Sequence, residues 1–145
     1  TGRHERETAG AGAAGGVGFA LLSIADRCRS FALRPGVELV MAATGFDAKL
    51  AEADIVVTGE GRIDAQTAHG KTALGVAKRA QAAGIRCYAV GGTVEPDGGS
   101  ALTAVGVTVA AVNPGAITLE QARAAGTAPI EAAAERIARG LTMPG

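Results

Sequence analysis

Three short apolar runs constrain this chain more than any other feature: "DIVVTG", "RCYAVGG" and "VTVAAV", near residues 55–58, 86–91 and 107–112. Each is built from β-branched or small residues and is continuously apolar. Strands read that way when helices cover both faces of their sheet. Between the first two runs lies "GKTALGVAKRAQAAG", helical in composition, with Leu74, Val76, Ala77 and Ala80 as its apolar face. Gly84 suits the left-handed residue that follows a helix end. Strand, helix and strand at this spacing predict parallel pairing and an α/β fold. After the third run, Thr118 and Gln121 have capping-box spacing and Ile117 stands as a hydrophobic staple. Pro129 interrupts the pattern, and "PIEAAAERIARGL" then repeats Ile130, Ile137 and Leu141 along a further helix. A complete doubly wound sheet uses about five or six strands. The expectation is therefore half a sheet, completed either by a missing part of the chain or by a second copy.

Residues 1–50 offer helices but no convincing strand. Val17, Leu21, Ile24 and Cys28 recur at helical spacing within residues 16–30, so the uncharged stretch from Ala9 to Ala25 reads as a Gly-rich loop entering a buried helix. It is short for a membrane span, and Glu5 and Glu7 spoil the basic leader that a signal peptide needs. "RPG" at 34–36 breaks the chain, "VELVMAATG" follows as a short helix ending at Gly45, and Asp47 is the expected N-cap of "FDAKLAEA". The first residue is Thr and "TGRHERE" is wholly polar, which suggests a processed or excised piece with a disordered start. The core must come mainly from Ala, Val, Leu and Ile, because Phe19, Phe31, Phe46 and Tyr88 are the only aromatic residues. Formal net charge is zero, which leaves no electrostatic footprint for nucleic acid. Cys28 and Cys87 have no metal-ligand spacing and read as buried or half-buried thiols of a reducing cytosol, a cytoplasmic protein.

Two phosphate-binding fingerprints nearly match. "GAGAAG" at 10–15 has the G-x-G-x-x-G spacing in Gly10, Gly12 and Gly15, but the polar segment before it cannot be a buried strand. These glycines, with Gly16, can still present backbone N–H groups to an anion, or can simply supply a tight loop. "AQTAHGKT" at 65–72 ends as a P-loop ends, yet Ala65 stands where glycine is required and "GEGRID" separates it from its strand. The stronger signal is that separating segment. Glu60, Arg62, Asp64, His69 and Lys71 all fall between a strand end and the next helix, where open parallel sheets bind ligands. Two carboxylates there suit Mg²⁺ or the proton of a substrate hydroxyl, and Arg62 and Lys71 suit phosphate or carboxylate oxygens. Any one of them fits a solvated loop with internal ion pairs; five together, framed by Gly59, Gly61 and Gly70 after Thr58, point to a site. His69 reads as a bystander. A third Gly-rich element, "GGTVEPDGG", brings Gly91, Gly92 and Thr93 to the same edge, Thr93 as a hydroxyl for phosphate or sugar and Glu95 and Asp97 as turn residues. No serine lies in a nucleophile-elbow pattern.

"GAGAAGGVG" at 10–18, "DIVVTGEGRIDAQTAHGKTALGVAKRA" at 54–80 and "YAVGG" at 88–92 together resemble the bacterial glycerate kinase family that contains a flavodoxin-like domain. The resemblance runs over about residues 7–140. It implies ATP- and Mg²⁺-dependent phosphorylation of a hydroxyl of D-glycerate. It also implies that the chain matches only the C-terminal part of the family. On that reading the fold is a three-layer parallel α/β sheet, a flavodoxin-like half-domain at 51–145, preceded at 1–50 by the helical end of an inserted second domain. Asp64 or Glu60 would serve Mg²⁺ or the substrate hydroxyl, Arg62 and Lys71 the phosphate or the glycerate carboxylate, and Gly10–Gly16 an anion-cradling turn. The family commonly has Pro at the position of Ala9 and Ser at that of Ala65. Such a piece is expected to be inactive alone. The alternative is a non-catalytic ligand-binding module, or one that pairs with itself as a homodimer through its sheet edge.

Overall fold

The computed structural model describes residues 5–67, 72–115 and 117–142. The chain divides into two compact units, Thr1–Ala43 and Thr44–Gly145.

The second unit is organised by a parallel sheet of β1 (Ile55–Ile63), β2 (Arg86–Val94) and β3 (Val107–Ala111), in the order β1-β2-β3. Ile55 pairs with Arg86 and Ile63 with Val94; Cys87 pairs with Val107 and Gly91 with Ala111. Successive parallel strands lying side by side need crossover helices, and right-handed crossovers put both on one face. Those helices are α4 (Thr72–Ala82) and α5 (Pro96–Thr103), numbered after three earlier ones given below. Ala73, Leu74, Val76, Ala77 and Ala80 are all buried, as the helical spacing predicted. Cys87 and Ala89 of β2 and Leu102 of α5 are buried as well. With alanine on so many of these positions, helix and sheet approach closely without large aromatic side chains. α4 ends in a Schellman arrangement: Gly84 is left-handed at φ 70° and the Ile85 amide donates to the Ala80 carbonyl at 2.9 Å.

The opposite face carries α6 (Leu119–Ala124) and α7 (Ala128–Thr142). The capping box at the start of α6 is present in both directions: Gln121 N donates to Thr118 Oγ1 at 3.1 Å and Thr118 N to Gln121 Oε1 at 2.9 Å. Pro129 sits in the first turn of α7, where its missing N–H costs nothing. Ala133 and Ile137 of α7 are buried, and Arg136 donates to the Ala111 carbonyl at 2.7 Å, fastening the helix to the end of β3. Between α7 and β1 an apolar groove of about 820 Å³ remains, lined by Ile55, Val57, Val90, Ile130, Ile137 and Leu141.

Two strands are longer than the sequence suggested. The apolar runs end near 58 and 91, yet β1 continues to Ile63 and β2 to Val94. Glycine is a poor strand former, so "GEGR" and "GGT" read as loops. Opposite each other they pair, because glycine lets the two backbones approach: a side chain on Gly92 would run into the Gly61 carbonyl. "GEGRI" is therefore strand rather than strand-end loop. Before the sheet stands α3 (Phe46–Leu50). Its N-cap is Gly45, left-handed at φ 62°, and not Asp47, whose carboxylate instead accepts from Arg79 of α4 at 2.9 Å.

The first unit contains a 3₁₀ turn at Glu5–Glu7, α1 (Ala13–Leu22), another 3₁₀ turn at Ala25–Arg27, and most of α2 (Gly36–Thr44). The helix expected over 16–30 is shorter. Ser23 Oγ donates to the Ala20 carbonyl at 2.6 Å, and Ile24 N turns back to Leu21 O, so the ladder tightens and stops. Nor is its apolar face buried: Val17 is 53% exposed, and Leu21, Ile24 and Cys28 are exposed too. Gly18 is the buried residue of α1, pressed so closely on the Gly10 carbonyl that no side chain fits. Among the described residues no helix is long and apolar enough to cross a membrane.

Candidate functional site

The turn that leaves β1 is held by its own polar groups. Asp64 Oδ1 accepts from Gln66 N at 2.9 Å, and the Asp64 carbonyl accepts from Thr67 N at 2.9 Å. The first bond is an Asx turn, which lets the chain reverse without a glycine. Thr67 is completely buried; its Oγ1 accepts from Asp64 N at 3.2 Å and donates to Glu60 Oε2 at 2.9 Å. Glu60 at the end of the strand and Asp64 in the turn are thus tied to one hydroxyl.

β2 brings the second wall. Its last residue leads into α5, and Glu95 N donates to the Ile63 carbonyl at 2.8 Å, extending the ladder by one rung. Glu95 occupies the N-cap position of α5 but makes no side-chain cap. Its carboxylate accepts from Arg62 instead, from Nε at 2.9 Å and from Nη2 as well. Glu95 is therefore an ion-pair partner rather than a turn residue. Behind this pair α5 packs against the turn itself: a Cβ on Gly98 would lie 2.5 Å from both the Asp64 nitrogen and the Asp64 carbonyl oxygen.

At the carboxyl ends of the strands lies a cavity of about 740 Å³, lined among others by Gly61, Arg62, Gly92, Thr93, Asn113 and Thr118. Asn113 belongs to the segment after β3 and donates through Nδ2 to the Gly92 carbonyl at 3.2 Å. Of the residues singled out in the sequence, Glu60, Gly61, Arg62, Asp64, Gly91, Gly92 and Thr93 gather at these two strand ends. Thr58 and Gly59 lie further back, against the apolar groove, which Glu60 also lines. Lys71, Gly70 and His69 lie outside the described residues. Gly10, Gly12, Gly15 and Gly16 belong to the other unit, where Ala14, Gly15 and Gly16 form a left-handed turn with φ of 51°, 68° and 96° ahead of the regular part of α1.

Thr67, Gly98 and Asn113 carry no role in the sequence reading, and Glu95 carries only that of a turn residue. Thr67 had a signal, an oxygen three residues beyond Asp64, the spacing of a local hydroxyl–backbone bond. Gly98 sat in "PDGGS", which looks like a turn and is the first turn of a helix. Burial pushes the Cys87 thiol above its ordinary range, whereas Cys28 is exposed rather than half-buried.

A parallel α/β sheet with polar groups at the strands' carboxyl ends defines a protein of the open-sheet α/β class, in which ligands bind at those ends. The family model described as the glycerate kinase family matches residues 1–142, and the chain belongs to that family. It is 43% identical over 130 residues to the glycerate kinase of Halalkalibacterium halodurans, covering 89% of this chain and 33% of that protein. To the glycerate kinase of Bacillus subtilis it is 39% identical over 117 residues, covering 81% of this chain and 30% of the relative. The glycerate 2-kinase of Escherichia coli is 41% identical over 76 residues, covering 52% and 19%. The chain spans about a third of the length of the first two relatives.

Proposed function

We propose that this chain supplies one wall of a kinase cleft in which ATP phosphorylates a hydroxyl of D-glycerate. The observation that carries the reading is the Glu60–Thr67–Asp64 cluster, two carboxylates held together towards the carboxyl end of β1. In this reaction the hydroxyl oxygen attacks the γ-phosphorus, the bond to the bridging oxygen of ADP breaks, and the hydroxyl proton passes to Asp64 or Glu60. Catalysis of this kind is mostly positioning and charge neutralisation. Arg62 and Lys71 act on the phosphate or on the glycerate carboxylate, and Gly61, Gly70, Gly91, Gly92 and Thr93 let backbone and hydroxyl groups come close to it. Gly10, Gly12, Gly15 and Gly16 form an anion-cradling turn. Residues 51–145 are the C-terminal half of a flavodoxin-like domain, and residues 1–50 the end of an inserted one. Its setting is the cytoplasm.

The donor set fits Mg²⁺. No group of three or more His, Cys, Asp or Glu forms among the described residues, so no all-protein cage is present. Mg²⁺ at kinase sites is held by one or two carboxylates, with phosphate oxygens and water completing its shell. Glu60 Oε2 accepts from Thr67 and Asp64 Oδ1 from Gln66 N, and a carboxylate's two oxygens offer about four lone-pair sites, so the pair suits a hard cation. Bound there, Mg²⁺ would neutralise phosphate charge.

The test is glycerate kinase turnover of the gene product at its native length, with Asp64→Asn and Lys71→Ala. Each is expected to lose about 100-fold or more in kcat. Wild-type kcat and KM in both would remove this turn from the active site. A second reading, self-association, is supported by β1 lying at the sheet edge with Val57 56% exposed. Sedimentation that stays monomeric at high concentration would exclude it.

A further inference from the structure

Thr67 stands out among the described residues because it is the one polar side chain that is wholly buried. A hydroxyl in that position is costly unless its bonds are made. Here both are made and their directions are fixed. A backbone N–H can only donate, so Oγ1 must accept from Asp64 N; its single proton is then committed to Glu60 Oε2. The same residue's amide donates to the Asp64 carbonyl, so Thr67 grips Asp64 at both ends of its backbone. It does this without reaching a ligand, since none of its surface is exposed.

We propose that Thr67 is a positioning residue whose buried hydroxyl holds the Glu60 carboxylate and the Asp64 turn in one fixed relation. This deepens the kinase reading and rests on it. The β-branch restricts χ1, so the hydroxyl is aimed before any ligand arrives. Serine keeps the hydroxyl and loses that restriction. Valine keeps the shape and strands two buried partners, the Asp64 N–H and a carboxylate oxygen. A purely structural threonine would affect folding alone; a positioning one acts through Glu60.

The experiment is a double-mutant cycle on the gene product at its native length, with kcat and KM for ATP and glycerate measured for Thr67→Val, Glu60→Gln and the pair. Thr67→Val is expected to lower kcat about 10–100-fold, with both KM values within about threefold of wild type. In the Glu60→Gln background the same change should cost less than in wild type, because the carboxylate that Thr67 positions is already gone and only its grip on Asp64 is left to lose. Thr67→Ser should recover most of the activity. If the valine variant does not fold, Thr67→Ser and Thr67→Cys carry the test, being alike in size and unlike in hydrogen-bond strength. The cysteine variant must then lose kcat relative to serine. Fully additive losses, a Thr67→Val enzyme at wild-type kcat, or equal serine and cysteine variants overturn the proposal while leaving the kinase reading standing. A silent Glu60→Gln overturns this proposal, and together with silent Asp64→Asn and Lys71→Ala it overturns the kinase reading as well.

Discussion

A single methyl group separates Gly98 from a different site. Alanine there would bring Cβ within 2.5 Å of Asp64 N and O, both backbone atoms that cannot rotate away. Either α5 or the Asp64 turn must move, and overpacking of that kind costs about 1–3 kcal/mol. Gly98→Ala should lower the unfolding free energy by that amount, read from the shift of the urea midpoint at unchanged m, and on the proposed kinase reading depress turnover along with it. Gly99→Ala is the control: its Cβ would meet only the Val94 side chain, at 3.2 Å, which can yield a few tenths of an ångström. The cysteines offer a second reading at this scale. Cys28 is exposed, while burial raises the Cys87 pKa above its ordinary range. A thiol reagent should therefore label one cysteine quickly in the native chain and the second only on unfolding. The sign for pH follows. As pH rises through the range where the unfolded thiol ionises, the folded state still holds its proton, so stability falls, and Cys87→Ala should flatten that alkaline decline.

Among the elements, those announced by side-chain chemistry were legible and those made by backbone approach were not. Thr118 and Gln121 bond as their spacing foretold, and Thr118→Ala should cost about 1 kcal/mol, seen as faster amide exchange within α6. α4 was legible because its alanines and Leu74 repeat at helical spacing, and Gly84 closes it as expected. The extensions of β1 and β2 were hidden, since Gly59, Gly61, Gly91 and Gly92 have little strand preference alone and pair only because they meet. The same blindness covers the candidate site. Its acids could be named from "GEGRID", but the ion pair of Arg62 with Glu95 joins residues 33 positions apart, and no local pattern carries that information. α1 misled in the other direction: Val17, Leu21 and Ile24 have the spacing of a buried face and are exposed. Periodicity marks a face that suits burial, not one that is covered.

For the second unit as a whole, the sheet has an open flank at β1, with an apolar groove between it and α7. The 145-residue chain should therefore enhance the fluorescence of an apolar dye in its native state, and Val57→Lys should reduce that signal without lowering the thermal midpoint by more than a few degrees. No change of signal would mean that the groove is closed in solution. The order β1-β2-β3 repeats the order of synthesis, so each strand finds its neighbour already made and the ladder grows from one side. The turn after β1 gains nothing from that head start. Its acids emerge early, but Gly98 and Glu95, which brace Asp64 and Arg62, arrive only with the following helix. During folding, then, a strand pair without α5 would have a sheet and no finished site. The bracing of the candidate site is a late property of this architecture, acquired when one short helix docks.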